Sequence, residues 1–362
     1  MSEVGLTLAE IDTPFLWVNL DTLERNMAFL AEHFKARGVN WRPHTKGIKI
    51  PAIAHKALRA GATGVTCAKL GEAEVMAAAG IADILIANQI VGPLKTTRLA
   101  NLCRQAEVKV AVDSEVNVAE LAQAAQRAGV RIGVIVEVDV GMQRAGVQPG
   151  EPTLKLSRLV HQTPGLRYWG LMGWEGHTAT TEPLNARRPA IEQAMRLLTD
   201  SARLCRGAGL PVELVSAGGS VTYTVTASLP GITEIQAGGG SFSDVYYRDG
   251  GAGTQPSLFV QAMVTSRPTP ERVILDAGFK SLPTWAQIPE PIGLTGVKSI
   301  EPSAEHLTLT LEAPNTAVKI GDRFDFIVGY GDTTVFLHDQ LYGVRGGRVE
   351  VVWAIQGRGK LQ

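Results

Sequence analysis

Short apolar runs alternate with amphipathic segments along the first two-thirds of the chain. Residues 15–20 form an apolar run that is typical of a strand. Asp21, followed three residues later by Glu24, predicts the capping-box start of a helix, and Gly38 predicts its end. Between them, apolar side chains repeat at the spacing of one helical face: Leu23, Met27, Leu30 and Phe34. The pattern therefore predicts a strand followed by a helix.

Eight further apolar runs, each ending in polar residues, are separated by helical segments such as Val118–Ala128 and Ile191–Cys205. The predicted strands are Trp41–His44, Val65–Ala68, Ile84–Asn88, Val110–Asp113, Ile132–Asp139, Gly170–Glu175, Glu213–Ser216 and Glu234–Gln236. Such alternation predicts parallel β/α units, and eight of them predict a closed (β/α)8 barrel. An open doubly wound sheet is the alternative. The barrel is favoured because no Gly-x-Gly-x-x-Gly motif follows the first strand.

The pattern changes after about residue 250, where short segments rich in β-branched residues are separated by turn residues. Few helical segments intervene, so we expect an all-β second domain. The strands predicted there are Val260–Thr265, Arg272–Leu275, Leu307–Leu311, Arg323–Ile327, Thr334–Leu337 and Val349–Ala354.

Composition narrows the functional classes. The 35 basic side chains balance 35 acidic ones, so the chain lacks the cationic surplus of a nucleic-acid binder. Cys67, Cys103 and Cys205 are odd in number and far apart, which favours a reducing compartment over a disulfide framework. The N-terminus does not resemble a secretory signal, and no apolar run approaches the roughly 18 residues of a membrane helix. We therefore expect a cytoplasmic protein that binds neither nucleic acid nor membrane.

The segment 41–46 ends the first predicted barrel strand with a polar cluster. If Lys46 is partly desolvated and held close to the Arg42 cation, its amine is available in the neutral form for Schiff-base chemistry. His44 flanks it. A solvated loop lysine is the commoner interpretation from position alone, so the segment gains weight only beside the other polar clusters.

Two further clusters follow later strands. In the stretch 137–146, Arg144 can grip a carboxylate, a phosphate or a cofactor oxygen, or it can pair with Asp139 at the surface. In the stretch 173–177, the Trp174 indole can stack on a planar cofactor and His177 can reach a substrate. A core tryptophan and a hydrogen-bonded histidine are the alternative for that stretch.

Glycine-rich loops at 214–223 and 236–241 follow the last two predicted barrel strands. Exposed backbone N–H groups, with the hydroxyls of Ser220 and Thr222, are typical of a phosphate site there, although glycines also serve simply to permit tight turns. In the β region, Asp332 is an oxygen ligand for a hard cation, with Tyr330 or His338 as a candidate partner. An ordinary hairpin is the alternative for that segment.

Taken in order, the segments 42–46, 137–146, 170–177 and 216–222 resemble those of the D-threonine aldolase and D-serine dehydratase family. These are pyridoxal-phosphate enzymes related to bacterial alanine racemase, and the resemblance covers nearly the whole chain. It implies an α/β fold of type III. A (β/α)8 TIM barrel of the alanine racemase type, at residues 14–248, would bind the cofactor. A C-terminal all-β domain, with residues 1–13 and 249–362, would complete the active site, usually in a homodimer.

The resemblance also implies roles for individual residues. Lys46 matches the lysine that forms the Schiff base with pyridoxal 5′-phosphate, and His44 lies beside it. Trp174 stands where the family usually has a tyrosine, and Arg144 matches an arginine near the cofactor's ring oxygen. The residues that match the phosphate-binding region are Ser220, Thr222, Tyr223, Gly238 and Gly239.

The chain departs from the family at the metal position. The family typically places a histidine two residues before a cysteine or an aspartate, and the two hold a divalent metal such as Mn or Mg. Here Asp332 is retained and Tyr330 replaces the histidine. The metal set that the resemblance implies is therefore Asp332 with Tyr330, although a neutral phenol is a poor ligand for ions that favour carboxylates.

The implied function is a pyridoxal-phosphate-dependent lyase that cleaves a small D-β-hydroxy-α-amino acid to glycine and an aldehyde. An aspartate at the metal position is the aldolase-like choice, whereas cysteine is the dehydratase-like one. His177, or a metal-held water near Asp332, is the candidate base for the β-hydroxyl proton.

Three alternatives stay open. A D-serine or D-hydroxyaspartate-type dehydratase would use Lys46 to take the Cα proton and would give a keto acid and ammonia. An amino-acid racemase needs a second base, for which Tyr330 is the candidate. A non-catalytic pyridoxal-phosphate-binding protein would resemble the barrel alone, and the predicted β domain argues against it.

Overall fold

The structure is a computed structural model that describes residues 3–182 and 184–362. It divides into two compact units, which we name by their main sheets. The barrel unit comprises residues 28–46, 53–238 and 359–362, and the β unit comprises residues 1–27, 47–52 and 239–358. The barrel domain was predicted to span residues 14–248. Within that range, residues 14–27, 47–52 and 239–248 belong to the β unit instead.

The first strand, β1 (Phe15–Asn19), and the first helix, α1 (Leu20–Lys35), occupy the segments predicted for them. Gly38 has a φ of 65°, the left-handed conformation expected just after a helix. The apolar face predicted for the helix is buried at every position: Leu23, Met27, Leu30 and Phe34. The hydrophobic pattern thus located this strand and helix correctly.

The predicted start of α1 is wrong by two residues. Asn19 rather than Asp21 caps the helix, because the Asn19 side chain accepts a hydrogen bond from the backbone N–H of Thr22 (2.9 Å). Asp21 and Glu24 instead pair with the guanidinium of Arg345. Both carboxylates therefore pair with a residue more than 300 positions away along the chain, Arg345.

Eight parallel strands form the sheet of the barrel unit, one for each strand predicted in residues 41–236. They are β2 (Asn40–Trp41), β3 (Val65–Cys67), β4 (Asp83–Gln89), β5 (Glu107–Val112), β6 (Ile132–Glu137), β7 (Leu166–Met172), β8 (Leu214–Ala217) and β9 (Glu234–Ile235). Hydrogen-bonded neighbours follow the order β2-β9-β8-β7-β6-β5-β4-β3, and a parallel bridge between His44 and Thr66 joins the two ends. The sheet is therefore closed into the predicted barrel.

Helices connect successive barrel strands, and the two helical segments predicted above lie within α5 and α7. These helices are α2 (Pro51–Ala60), α3 (Leu70–Ala78), α4 (Pro93–Leu102), α5 (Glu115–Ala128), α6 (Glu151–Gln162), α7 (Leu184–Gly207) and α8 (Tyr223–Thr226). The Ser114 side chain accepts a hydrogen bond from the N–H of Asn117 and caps α5, and Gly129 ends that helix at a φ of 63°. Over the residues that the structure describes, no helix has both the length and the apolar composition needed to cross a membrane.

A buried group of charged side chains links the start of the barrel to its neighbours. Arg42 follows β2 and is only 2% exposed. Its Nε lies 2.8 Å from Glu234 of β9, and its Nη1 lies 2.7 Å from Asp83 of β4. The Nζ of Lys109 on β5 lies 2.7 Å from the same Asp83 carboxylate. Each buried charge thus faces an opposite one, which is the condition for keeping charges out of water.

The β unit contains β1 with eight later strands in a largely antiparallel sheet. They are β10 (Leu258–Thr269), β11 (Arg272–Leu275), β12 (Glu290–Pro291), β13 (Val297–Pro302), β14 (Leu307–Leu311), β15 (Arg323–Ile327), β16 (Gln340–Arg345) and β17 (Arg348–Ala354). The main path is β13-β14-β11-β10-β1-β16-β17, with β15 paired to β10 and β12. The N-terminal strand β1 is inserted between two C-terminal strands, antiparallel to β10 and parallel to β16.

Aromatic side chains form much of the core of the β unit. Trp17 stacks on Phe259 with ring centroids 4.4 Å apart, and Phe15 meets Tyr342 edge to face at 5.3 Å. The Trp17 indole N–H donates to Asp325 (2.9 Å), so the buried ring keeps its polar atom satisfied. These contacts attach the N-terminal segment to the C-terminal sheet.

The strand predicted at Thr334–Leu337 is wrong. The segment forms the short helix α10 (Gly331–Thr334), which follows α9 (Val245–Asp249) in the chain, and then a 3-10 turn (Val335–Leu337). The hydroxyls of Thr333 and Thr334 donate to the carbonyl of Tyr330 at 2.9 and 3.0 Å. Such local side-chain bonds to the backbone compete with the hydrogen bonds of a strand ladder.

We expect the substitution Glu234→Ala to destabilise the barrel strongly, because it leaves the buried Arg42 with one carboxylate fewer. The loss should be about 3 kcal/mol, as for other broken buried ion pairs. Urea denaturation followed by circular dichroism measures it. Glu213→Ala is the matched control, since Glu213 pairs with Arg167 at the surface (3.2 Å) and should change stability by less than about 1 kcal/mol. Equal losses of unfolding free energy in the two variants would contradict the prediction, because the buried ion pair would then contribute no more than the exposed one.

Candidate active site

Three side chains predicted from three different strand ends come together in the barrel unit. The Nζ of Lys46 lies 5.6 Å from the centroid of the Trp174 indole. The guanidinium carbon of Arg144 lies 5.1 Å from the same ring. Both distances are within the roughly 6 Å over which a cation is attracted to an aromatic face. The structure thus supports grouping these three residues at the C-terminal ends of β2, β6 and β7.

The backbone around Lys46 is held by short polar contacts. Lys46 lies in a 3-10 turn, Thr45–Gly47, and its backbone N–H donates to Nδ1 of His44 (3.3 Å). The Thr45 hydroxyl donates to the carbonyl of Thr66 (3.0 Å). A Cβ atom on Gly238 would overlap the backbone of His44, so only glycine allows these two chain segments to approach. His44 and Gly238 therefore both shape the turn that presents Lys46.

Arg42, the cation considered for Lys46 from the sequence, is itself paired with buried acids. Its guanidinium is engaged by Glu234 and Asp83. Arg144 shares an aromatic neighbour with Lys46. The two residues are far apart along the chain, so this proximity follows from the fold.

Arg144 is oriented by a buried acid that the sequence analysis did not single out. A terminal guanidinium nitrogen lies 3.9 Å from Glu137, whose carboxylate also accepts a hydrogen bond from the Gln89 side chain (2.5 Å). Burial raises the pKa of Glu137, against the opposing effects of Gln89 and the Arg144 charge. Asp139, the alternative partner, accepts the backbone N–H groups of Gly141 and Gln143, both at 3.0 Å. Asp139 therefore shapes the turn rather than pairing with the arginine.

The Trp174 ring packs closely against two glycines. A Cβ atom on Gly176 would overlap the ring, and one on Gly219 would lie 3.2 Å from the indole Nε1. Gly218 has a φ of 78°, which a side chain would strain. The glycines thus bring the loop after β8 up to the indole face.

Glu175 fixes that loop, and the sequence analysis did not single it out. Its side chain is fully buried. One oxygen accepts the Thr226 hydroxyl (2.6 Å), and the other accepts the backbone N–H of Gly218 (3.3 Å). Its position between Trp174 and His177 was the available signal in the sequence, because an acid that is buried near the end of a strand must have hydrogen-bond partners.

The predicted phosphate-binding residues differ in what their side chains do. Ser220 and Thr222 are almost fully buried, and the Thr222 hydroxyl accepts the N–H of Gly219 (2.9 Å). The Tyr223 ring is in the core against His33 and Phe34, at 4.8 and 5.3 Å between centroids. Its backbone N–H donates to the carbonyl of Gly219 (3.0 Å).

His177 is exposed and lies beside the loop that follows β6. A Cβ atom on Gly141 would lie 3.0 Å from its Nε2, and Gly141 itself has a φ of 115°. The glycine therefore permits the close approach of the imidazole to the loop that carries Arg144.

Within the β unit, Asp332 is surrounded by phenols. Its two carboxylate oxygens accept hydrogen bonds from Tyr330 (3.0 Å) and from Tyr247 (3.4 Å). Burial raises the pKa of both tyrosines, with the Asp332 charge as a further cause. Gly239 has a structural role here, because a Cβ atom on it would overlap the Tyr247 ring. His338, the other candidate partner, instead contacts the carbonyl of Ser281 (2.8 Å), and burial lowers its pKa.

The two implied ligands fit this structure to different degrees. For pyridoxal phosphate, the barrel unit supplies an amine, an aromatic face, a guanidinium and a glycine-rich loop with the buried hydroxyl of Ser220, so the residues present fit the cofactor. For a divalent metal, one carboxylate with two protonated phenols is a poor donor set. Within the part of the chain that the structure describes, no group of three or more His, Cys, Asp or Glu side chains is placed to hold a metal ion.

Comparison with known proteins agrees with this arrangement. Residues 18–244 match the family of the alanine racemase N-terminal domain, and residues 257–344 match a serine dehydratase domain family. The chain is 36% identical to a D-threonine aldolase from Arthrobacter sp., over 99% of this chain and 96% of that protein. It is 32% identical to a 3-hydroxy-D-aspartate aldolase from Paracoccus denitrificans (strain Pd 1222), over 98% of this chain and 94% of that protein.

A solved structure extends the similarity to three dimensions. The crystal structure of a D-threonine aldolase from Filomicrobium marinum superposes with a TM-score of 0.96 at 35% identity, and the match covers 100% of both chains. Both units of the fold are therefore similar to those of that enzyme. The chain belongs to the D-threonine aldolase and D-serine dehydratase family of fold-type III pyridoxal-phosphate enzymes.

Proposed function

We propose that the chain is a pyridoxal-phosphate-dependent lyase that cleaves D-β-hydroxy-α-amino acids such as D-threonine to glycine and an aldehyde. The observation that carries the proposal is the convergence of Lys46, Trp174 and Arg144 at the barrel strand ends. It occurs in a chain whose full-length relatives are aldolases.

The cofactor would be held by residues of the barrel unit. The Lys46 amine would attach it covalently, the Trp174 face would lie against its ring, and Arg144 would bind a ring oxygen. Ser220 would bind the phosphate, with Glu175 and Thr222 fixing its loop through the N–H groups of Gly218 and Gly219. Pyridoxal phosphate, when bound, supplies an electron sink for the pair of electrons that the Cα–Cβ bond releases.

The chain's own residues would move the protons. His177 would accept the proton of the β-hydroxyl group on a ring nitrogen, so that the hydroxyl oxygen becomes the carbonyl oxygen of the departing aldehyde. The Cα–Cβ electron pair stays with Cα, which then needs a proton to become glycine. Lys46, released when the substrate amine takes its place, is the candidate donor of that proton.

A dehydratase is the second candidate, because residues 257–344 match a serine dehydratase domain family. In that reaction Lys46 would remove the Cα proton and the β-hydroxyl group would leave. The Lys46 amine would therefore serve either reaction, and identifying the products distinguishes the aldolase from the dehydratase.

We also infer a cytoplasmic homodimer. Cys67, Cys103 and Cys205 are free thiols, which supports a reducing compartment. The dimer is inferred from the family, whose active sites usually form between subunits. The balanced charge argues against a nucleic-acid partner.

The substitution Lys46→Ala should abolish covalent cofactor attachment, because it removes the amine. We expect the visible absorbance band of the bound cofactor to disappear, and borohydride reduction followed by peptide mapping to find no adduct. Lys155→Ala is the control, since Lys155 forms only an exposed ion pair with Glu115. A reduced adduct on another lysine of the native protein would refute the assignment of Lys46.

Incubation of the loaded enzyme with D-threonine should yield glycine and acetaldehyde in equal amounts. Chromatography of the derivatised products measures both. Formation of 2-oxobutanoate with ammonia would establish the dehydratase instead, and conversion to a stereoisomer without cleavage would establish a racemase. L-Threonine is the stereochemical control and should not be cleaved.

The substitution His177→Gln should lower kcat by about 10²–10⁴-fold, the usual contribution of a general base, with little change in KM. The slope of the pH–rate profile that belongs to the histidine should vanish with it. His161→Gln is the matched control, because His161 is also exposed but lies on helix α6. A wild-type profile in His177→Gln would assign the β-hydroxyl proton to another group.

A further inference from the structure

Asp332 lies in a hydrogen-bonded cluster within the β unit that we call the phenol cluster: Asp332, Tyr330 and Tyr247. Tyr330 donates its hydroxyl proton to Oδ2 of the carboxylate (3.0 Å), and Tyr247 donates to Oδ1 (3.4 Å). A phenol with an ordinary pKa of about 10 is protonated near neutral pH, so each one presents a proton to the carboxylate. A cation at the same oxygens would have to displace these protons.

Packing restricts the carboxylate further. A Cβ atom on Gly47 would overlap Oδ1 of Asp332, so the backbone of Gly47 lies directly against that oxygen. Hard divalent cations take six or more oxygen ligands and often keep several waters among them. The Tyr247 hydroxyl and the Gly47 backbone both lie beside Oδ1 and restrict the approach of a cation to it.

The neighbouring carboxylate does not add a free ligand. Asp244 is 1% exposed. Its Oδ1 accepts the backbone N–H of Tyr247 (2.9 Å), and its Oδ2 accepts that of Gly331 (2.6 Å). These two bonds cap helix α9 and hold the first residue of α10. Moving Asp244 onto a metal would leave two buried N–H groups without acceptors, which is costly.

The ring of Tyr330 is also held in place. Its centroid lies 4.8 Å from that of Tyr246, 5.7 Å from that of Tyr247 and 6.1 Å from that of Trp285. Aromatic neighbours on several sides oppose a swing of Tyr330 that would open the carboxylate. The phenol cluster is thus a packed feature of the fold.

We propose that this chain holds no divalent metal ion at Asp332 and carries out its reaction without one, because the phenols of Tyr330 and Tyr247 occupy the carboxylate that would otherwise bind the ion. The substitution of histidine by Tyr330 exchanges a lone pair that could bind a cation for a proton that binds the carboxylate. The inference rests on the proposed lyase function only for its activity measurement.

The test compares the native protein with Tyr330→His and Tyr330→Phe. Each is loaded with pyridoxal phosphate, stripped with a chelator, dialysed against MnCl₂ and then against metal-free buffer. Bound manganese is measured by inductively coupled plasma mass spectrometry, and thermal unfolding is followed with and without MnCl₂. We expect substoichiometric manganese and an unchanged Tm for the native protein and for Tyr330→Phe. We expect near-stoichiometric manganese and a raised Tm for Tyr330→His, which restores a His-x-Asp pair.

Activity is a second measurement. Native cleavage of D-threonine should change by less than about twofold between chelator and added manganese, whereas loss of a Lewis-acid metal that the reaction uses lowers the rate by more than about a hundredfold. Stoichiometric manganese on the native protein that Asp332→Asn removes would overturn the proposal, as would a chelator-induced rate loss that manganese reverses. Because metal content and Tm need no turnover, failure of the proposed lyase activity stays distinguishable from failure of this inference.

Discussion

The paired charges around Arg42 connect the parts of the barrel on which the position of Lys46 depends. Strand β2 has only two residues, which is too little ladder to fix the chain that follows it. Arg42 adds a buried side-chain link from that chain to Glu234 on β9 and to Asp83 on β4. The barrel closes in this region, where the ladder is reduced to an isolated bridge between His44 and Thr66. Lys46, the lysine proposed to attach the cofactor, therefore follows a short strand that buried ion pairs hold in place.

Buried acids play a similar role around the rest of the site. Glu137 lies beside the guanidinium of Arg144, and Glu175 joins the loop of Gly218 to helix α8 through hydrogen bonds. Each acid satisfies its oxygens with protein donors, as a buried carboxylate must. Precise placement of a site on loops requires such support, because loops alone lack the ladders that fix strands and helices. The residues that would touch the cofactor are thus held by residues that would not.

Much of the fold was readable from the sequence, because it depends on local pattern. The strands of the barrel, the buried face of α1 and the glycine at its end all follow from spacing of apolar residues within a short window. The identity of the helix cap was not readable in the same way, since Asp21 and Asn19 are both good caps and a distant Arg345 decided between them. The local sequence therefore identifies the candidate caps, and tertiary contacts determine which one caps the helix.

The site was predictable in its members but less so in their partners. Lys46, Arg144 and Trp174 were grouped because strand ends of a parallel barrel meet at one face. The partners of Arg42 were not readable from the sequence, because nearness along the chain does not reveal that a guanidinium is engaged by two acids. The burial of the Tyr223 ring was not readable either, because the glycine-rich loop that contains it continues into a buried helix.

The region of Asp332 shows how one side chain changes the meaning of its neighbour. A neutral imidazole has a lone pair, so it can bind a cation together with a neighbouring carboxylate. A phenol offers a proton, so the same carboxylate becomes an acceptor in a closed hydrogen-bond arrangement. In this chain Asp332 ties Tyr330 and Tyr247 together beside the α10 turn, and that function is satisfied by protein groups alone.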